Sequence, residues 1–141
     1  MSTPIARRVE NAFVAALREQ LDLLGYTETM LPAYAGHNRA GGGSPYCVAA
    51  AFDLEETTHQ SGVFKCEIRV VLVSNLDDST SDEHDARLAA VESAINALPK
   101  LGRDYNNGVR LFGFYIDSQT TATEDQSFGD VFVIQAGVGR V

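Results

Sequence analysis

Hydrophobic residues recur every three or four positions near the start of the chain, and this spacing predicts an amphipathic helix at residues 4–24. Thr3 is suited to cap this helix, and Pro4 fits its first turn because proline lacks an amide hydrogen that would be unpaired there. Gly25 follows as a helix terminator. The positions expected to face the core are Ile5, Val9, Phe13, Leu17, Leu21 and Leu24.

A second stretch with helical spacing predicts a helix at about residues 81–98. Thr80 and Glu83 have the spacing of a capping box, in which each side chain accepts a hydrogen bond from the backbone of the other residue. Pro99 stops the helix because it cannot continue the backbone hydrogen bonding. The expected core positions are Leu88, Val91, Ile95 and Leu98.

Four further segments predict strands, since their apolar residues alternate with polar ones or run continuously. In the second segment charged and apolar side chains alternate, and Val71 and Val73 replace charge at its far end. The order of elements predicts an α+β fold of αββαββ order, with a mainly antiparallel four-stranded sheet and two helices packed on one face. We expect one domain over residues 1–141. The strands are expected at 47–55, 63–73, 109–116 and 130–138.

The third and fourth predicted strands carry apolar residues on both faces. In the third strand, Phe112 and Phe114 are expected on one face and Leu111 on the other. Two helices of this size cover one face of a four-stranded sheet, so the second face needs another cover. That cover is either a neighbouring subunit or the segment 26–46 folding back over the sheet, and the sequence leaves both open.

The composition is that of a globular protein, with 45% hydrophobic and 21% charged residues in 141. The net charge of −8 argues against a protein that grips nucleic acid through its phosphates, because such a protein needs a basic face. An acidic protein can still line a passage for DNA, since like charges prevent sticking. No apolar run reaches the roughly 18 residues of a membrane-spanning helix. The first residues lack the pattern of a signal peptide, so we expect synthesis in the cytoplasm.

Two cysteines, Cys47 and Cys66, fall in predicted strands. If these strands form a hairpin that turns near residues 58–62, Cys66 lies opposite residue 53 and far from Cys47. We therefore expect two buried free thiols and no disulfide. The cysteines also form no zinc site, because no CxxC pair and no nearby histidine accompanies them.

Candidate catalytic or metal-binding chemistry is sparse. An acidic cluster surrounds His84, but its spacing matches no EF-hand loop, and the start of a helix accounts for acids without a metal. A glycine-rich loop at 36–45 lacks the Gly-Lys-Ser/Thr ending of a P-loop. No GxSxG, HExxH or paired-carboxylate pattern is present, so we expect neither catalysis nor a cofactor. The acidic cluster consists of Asp77, Asp78, Asp82, Glu83 and Asp85.

The run VLVSNLDD at 71–78, followed by EH at 83–84 and RLAAV at 87–91 within a helix, resembles the tail terminator (tail completion) proteins of long-tailed bacteriophages. The helix before the first strand pair and the strand pair after the second helix agree with the same layout. The resemblance spans about residues 5–138. Neck and connector proteins are similar in size and layout, so a head–tail connector or neck adaptor is the alternative.

The resemblance implies a virion structural protein that forms a hexameric ring with a central channel. Such a ring caps the last ring of tail-tube subunits at the head-proximal end, stops polymerisation and offers a surface for head attachment. The implied partners are further copies of the chain, the tail-tube protein and the head–tail connector protein, after assembly in the host cytoplasm. Genomic DNA passes through the channel without specific binding, and no membrane is involved. An alternative of another class is a small cytoplasmic enzyme or ligand-binding α+β domain that uses the glycine-rich loop.

Closing a ring requires two different patches on each subunit. One candidate patch lies on the apolar third and fourth strands, and the other lies at the hairpin tip, residues 56–62. The segments 36–44 and 117–129 are expected to contact the tube or the connector. The hypothesis assigns Phe112, Phe114, Phe132, Ile134, Thr58 and His59 to the subunit interface, and Arg39, Gly42, Thr121 and Glu124 to the tube or connector contact.

Overall fold

The computed structural model describes residues 4–36, 45–57, 62–75, 80–98, 108–121 and 127–140. The elements in chain order are α1 (Ile5–Leu23), β1 (Ala33–Ala35), β2 (Tyr46–Glu56), β3 (Val63–Asn75), α2 (Ser81–Asn96), β4 (Val109–Thr121) and β5 (Ser127–Arg140). The two predicted helices and four predicted strands are all present, and β1 is an additional strand.

The strands form one sheet in the order β1-β2-β3-β5-β4. The four long strands pair antiparallel as predicted, whereas β1 pairs parallel to β2. The prediction of four strands is therefore wrong by one. β1 is only three residues long, and it is held by pairing with β2, including a 2.9 Å bond from the Cys47 N–H to the Pro32 carbonyl. Such a short strand has too few residues to show a period in the sequence.

Both helices pack on the same face of the sheet, and the core lies between them and the strands. Phe13 and Leu17 of α1 are fully buried, and so is Val91 of α2. The predicted core stripe of α1 is right from Val9 to Leu21, but Leu24 is 48% exposed. These packed stripes, more than helix propensity, hold the helices in place.

Leu24 is exposed because α1 has already ended. Gly25 takes φ +89°, a left-handed conformation that favours glycine, and its N–H donates to the Asp22 carbonyl. The Tyr26 N–H donates to the Leu21 carbonyl, which completes a Schellman motif. The predicted terminator is thus confirmed. At the other end Pro4 precedes the first helical residue, and Thr3 lies outside the described residues.

The segment after α1 is anchored by Arg18. Its guanidinium donates to the Leu31 carbonyl at 2.7 Å and to the Tyr26 carbonyl, and it pairs with the Asp22 carboxylate at 3.1 Å. These bonds fix both ends of the turn that leads into β1. Leu31 is buried in the core, and Ala33–Ala35 pair with β2 at the edge of the sheet.

The predicted capping box at the start of α2 is confirmed. The Glu83 N–H donates to Thr80 Oγ1 at 3.2 Å, and the Thr80 N–H donates to Glu83 Oε1 at 3.0 Å. Two backbone donors that a helix start leaves unpaired are thereby satisfied. The position of α2 over β4 and β5 follows from this defined start and from its buried stripe.

A buried carboxylate closes part of the β2 edge. Glu10 on α1 is only 2% exposed, and its Oε2 accepts a 2.9 Å bond from the Ala51 N–H. Amides two residues apart on a strand point to the same side, and Cys47 donates to β1. The Ala51 N–H is therefore a donor that a longer β1 would have paired, and Glu10 takes that place. Arg7, 3.5 Å away, balances the charge of Glu10.

Candidate interaction surface

The two faces of the sheet differ in what covers them. On β3, Ile68, Val70 and Leu72 are fully buried beneath the helices, while Val71 and Val73 between and beyond them remain partly exposed on the opposite face. This alternation agrees with the predicted pattern of β3. We call the surface turned away from the helices the outer face.

An apolar row crosses the outer face. Tyr34 of β1 pairs with Val48 of β2, which pairs with Val71 of β3, which pairs with Val131 of β5, which pairs with Thr120 of β4. With strands spaced by about 4.8 Å, this row is about 19 Å long. Four of its five members are apolar, and all five are at least partly exposed.

The neighbouring rows extend the apolar surface. Tyr46 pairs with Val73, and the Tyr46 ring lies 6.5 Å from that of Tyr34, centroid to centroid. On the other side Arg69 pairs with Val133. Tyr46, Val73 and Val133 are partly exposed. In the described part of segment 26–46, Leu31 is buried in the core and β1 pairs at the sheet edge. The described part of segment 26–46 therefore does not fold back over the outer face, which was one of the two predicted covers.

The opposite end of the outer face is polar and partly basic. Arg69 pairs with the Glu67 carboxylate at 2.7 Å, and its guanidinium lies 4.6 Å from the centre of the Phe52 ring. Further along, Lys65 and Arg110 are exposed. The exposed carboxylate of Glu55 stands opposite Lys65 in the strand register. The outer face therefore changes from aliphatic at one end to mixed charge at the other.

A bulge in β4 changes which side chains face the helices. Register is lost between Phe112 and Tyr115, where Gly113 adopts φ +64°. Leu111 before the bulge and Phe114 after it both lie on the helix side, and Phe112 is on the outer face. The expectation that Phe112 and Phe114 share a face is therefore wrong. A strict alternation across this segment does not allow for the extra residue.

Phe112 lies flat against its own sheet. A Cβ added to Gly137, its partner on β5, would meet the Phe112 ring at 2.3 Å, so the ring occupies the space above a glycine backbone. Phe112 remains partly exposed. Phe114, in contrast, packs inward with its ring centroid 5.8 Å from that of Phe13.

Two other residues assigned to the subunit interface lie in the core. Phe132 and Ile134 are fully buried beneath the helices, so a folded chain does not present them to a neighbour. Their strand was expected to be apolar on both faces, which is correct, but its outward residues are Val131 and Val133. The assignment of Phe132 and Ile134 to a subunit interface therefore does not fit their burial, whereas Val131 and Val133 lie on the outer face.

The residues proposed for tube or connector contact are mostly not described. Thr121 is exposed at the end of β4, and its hydroxyl donates to Asp130 Oδ1 at 2.8 Å. The remaining predicted site residues lie outside the described residues, and their roles stay predictions. These are Arg39, Gly42, Thr58, His59 and Glu124.

A buried polar cluster joins the ends of three strands to α2. The His84 ring lies with Nδ1 2.9 Å from Ser74 Oγ and Nε2 2.7 Å from Asp130 Oδ2. Arg87 donates to the same serine oxygen at 3.1 Å. The sequence pattern placed His84 in an acidic cluster and did not predict these partners. The signal was available, since His84 lies one helical turn before Leu88 on the buried stripe.

The cluster contains the residue types of a hydrolytic triad, but it lacks access. Ser74 is 0% exposed, and His84 and Asp130 are each 3% exposed, so a substrate cannot reach the serine hydroxyl without unfolding. Because buried polar groups need partners, the cluster is a structural connection between α2 and the sheet.

The described residues form no metal centre. Among the described residues, no group of three or more histidine, cysteine or acidic side chains is placed to hold a metal ion. Asp77 and Asp78 of the acidic cluster lie outside the described residues. Glu83, in the same cluster, is used in the capping box.

Both cysteines are buried free thiols, as predicted. Cys47 pairs with Leu72, and Cys66 lies opposite the β2 bulge between Phe52 and Glu55, close to the predicted position. Burial raises the pKa of Cys47 from 9.0 to about 12. Burial likewise raises the pKa of Cys66 to about 12, and three nearby carboxylates add to it. Neither thiol is suited to act as a nucleophile at neutral pH.

Among the helices of the described residues, none combines the length and apolar character needed to cross a lipid bilayer. No protein-family model and no curated protein matches the chain. Its fold is found in solved structures. A chain of the virion of a native gene transfer agent particle is 19% identical, with a TM-score of 0.60, over 93% of this chain and 97% of that one. A second structure, which carries no functional name, is 15% identical, with a TM-score of 0.55, over 95% and 94% of the two chains. At these identities the likeness shows a shared fold over nearly the whole described architecture.

Proposed function

We propose that the chain is a structural protein of a bacteriophage virion. In this proposal it forms a hexameric ring at the head-proximal end of the tail, caps the tail tube, ends tube polymerisation and provides the head–tail joining surface. The observation that carries the proposal is the apolar outer face, whose valine and tyrosine side chains are partly exposed. A sheet face of this kind favours burial against another subunit.

Two further findings support a virion role over a catalytic one. The fold is shared almost end to end with a chain of a gene transfer agent virion. The only triad-like cluster found in the described residues is buried and inaccessible. The net charge of −8 suits a ring through which DNA passes without being held, because an acidic wall repels phosphates.

The sequence resemblance points to termination of the tube, and a head–tail connector is the alternative position. Both roles need a ring, so they differ only in the partner that the ring meets. A terminator binds the tail-tube protein and limits tube length. A connector binds its neighbour on the head side and leaves the tube protein free to polymerise.

The experiment begins with the purified full chain, measured by light scattering over a range of concentrations and viewed by negative-stain microscopy. We expect closed rings with a central channel. Added to polymerising tail-tube protein, the rings should be found at one end of each tube, and mean tube length should fall as ring concentration rises. Rings that leave tube length unchanged would favour the connector. A chain that stays monomeric at high concentration would contradict both.

A further inference from the structure

The strand register brings the members of the buried polar cluster together on the helix side of the sheet. Ser74 of β3 and Asp130 of β5 are diagonal neighbours, two residues apart in the pairing of these strands. Such neighbours lie about 7–8 Å apart, a gap that one imidazole ring with a hydrogen bond at each end can span. Thr121 of β4 pairs with Asp130 from the other side. His84 and Arg87 are three residues apart on α2 and so lie on one side of that helix.

Some of the hydrogen bonds in this cluster can run in only one direction. A guanidinium only donates, so Arg87 donates to Ser74 Oγ at 3.1 Å. An ionised carboxylate only accepts, so Asp130 accepts from Thr121 through Oδ1 at 2.8 Å and from His84 Nε2 through Oδ2 at 2.7 Å. Nε2 of His84 therefore carries a proton.

The Ser74 hydroxyl determines the state of the other ring nitrogen. Its oxygen already accepts from Arg87, and its single proton needs an acceptor because the side chain is fully buried. Among the described residues, the one acceptor in contact with this hydroxyl is Nδ1 of His84, at 2.9 Å. The serine therefore donates to Nδ1, and Nδ1 carries no proton.

A second proton on the imidazole would disturb this arrangement. Nδ1 would then donate to Ser74 Oγ, and the buried serine hydroxyl would lose its acceptor. The same oxygen would also face two cations, the guanidinium of Arg87 and the imidazolium of His84. The carboxylate of Asp130 would favour the added charge, whereas the lost hydrogen bond and Arg87 both oppose it. The neutral ring with its proton on Nε2 is the state that satisfies all of these groups.

We propose that His84 is held as the neutral Nε2–H tautomer and relays a chain of hydrogen bonds from Arg87 to the buried carboxylate of Asp130. Every bond in this chain donates in the same direction, through Ser74 and then through the imidazole, so each bond polarises the next. No ion pair between Arg87 and Asp130 is found among the described residues, and the relay couples them instead. It is a conformational device, because it ties the first turns of α2 to the ends of three strands in one arrangement of protons.

The test is the ¹⁵N resonance of each imidazole nitrogen, measured by NMR on the full-length chain at neutral pH. The chain has three histidines, and the variant His37→Gln/His59→Gln leaves His84 as the only one, so its two signals need no further assignment. We expect Nε2 to show a directly bonded proton and Nδ1 to show none. A proton on Nδ1, in the other tautomer or in the imidazolium, would overturn the inference.

Two further variants test which group donates to Nδ1. Ser74→Ala removes the donor, so the Nδ1 resonance should move toward that of an imidazole nitrogen without a hydrogen bond, while Nε2 stays protonated. Thr121→Val is the matched control, because it removes a hydroxyl that contacts the other oxygen of Asp130, and Nδ1 should not shift. An unchanged Nδ1 resonance in Ser74→Ala would show that the serine is not the donor, which contradicts the relay.

A double-mutant cycle tests the coupling itself. Arg87→Gln and Asp130→Asn, alone and combined, are compared by chemical denaturation at a fixed protein concentration. We expect their effects on the unfolding equilibrium constant to be non-additive by about threefold or more, and this non-additivity to shrink when Ser74→Ala breaks the chain. Equal non-additivity in both backgrounds would show that the two charges act directly through space, against the relay. The NMR measurement needs none of these substitutions, so it decides the tautomer even where a variant fails to fold.

Discussion

Cys47 and Cys66 make the stability of the fold sensitive to alkaline pH. Burial raises the pKa of each thiol from 9.0 to about 12 in the folded chain. In the unfolded chain both ionise near pH 9, so the unfolded state gains stability as the pH rises from there toward 12. We expect the free energy of unfolding to be unaffected by these groups below pH 9 and to fall by about 1.4 kcal/mol per pH unit per thiol above it.

The measurement is chemical denaturation at a fixed protein concentration across this pH range. The matched control is the Cys47→Ala/Cys66→Ala variant, which should begin less stable and lose stability less steeply with pH. If the free energy of unfolding of the control falls with pH as steeply as that of the unmodified chain, groups other than the two thiols cause the loss of stability at alkaline pH.

Gly113 is the residue on which the two-sided arrangement of β4 depends. Its φ of +64° costs an ordinary L-residue about 1–2 kcal/mol, and no atom lies within 4 Å of a Cβ placed there. Gly113→Val should therefore destabilise the fold by about this amount through backbone strain alone. Gly113→Asn is the control, because asparagine tolerates this region better, and denaturation midpoints should rank glycine, asparagine and valine in that order.

At the scale of single residues, the sequence predicts burial well where polar and apolar side chains alternate without interruption, as along β3. It fails at Gly113, because a single residue with positive φ moves Phe114 to the helix face, and strict alternation treats this glycine as an ordinary strand residue. It also fails for His84, whose partners Ser74 and Asp130 lie 10 and 46 residues away.

Among the elements, α2 depends most clearly on a local cap. Thr80→Ala removes the oxygen that accepts from the Glu83 N–H, and we expect a loss of about 1 kcal/mol. Thr80→Ser keeps a hydroxyl at this position and should stay close to the unmodified chain. Thermal unfolding followed by circular dichroism distinguishes them, and equal melting temperatures for all three would show that the box contributes nothing.

The helices and long strands could be predicted because each has its own period and its own end signals, such as Thr80 and Gly25. β1 could not be predicted in this way. It is held by three residue pairs with β2 and by the hydrogen bonds of Arg18 to the turn before it. Its formation depends on the rest of the fold already being in place.

For the molecule as a whole, the proposed assembly predicts which apolar side chains matter. Val71→Lys places a charge in the centre of the outer face and should prevent ring formation without changing the fold, because this side chain points away from the core. Leu23→Lys is the matched control, since Leu23 is 76% exposed at the end of α1. Light scattering should show monomers for the first variant and rings for the second.

The reverse result would place the interface at the end of α1 and would contradict the assignment to the sheet. That an uncovered face exists was predictable from Val71 and Val73, where charge gives way to valine on the outward side of β3. Which residues of the other strands join it was not, because that depends on strand order and on the β4 bulge.

The carboxylate of Glu10 also opposes strand addition between copies of this chain at the β2 edge. An incoming strand at the β2 edge would need the Ala51 amide, and Glu10 already holds it. Hydrogen-bonded growth of one sheet into the next, the route to fibrils, therefore meets a negatively charged obstacle. In the assembly proposed above, copies of the chain therefore associate through the outer face and not through the β2 edge.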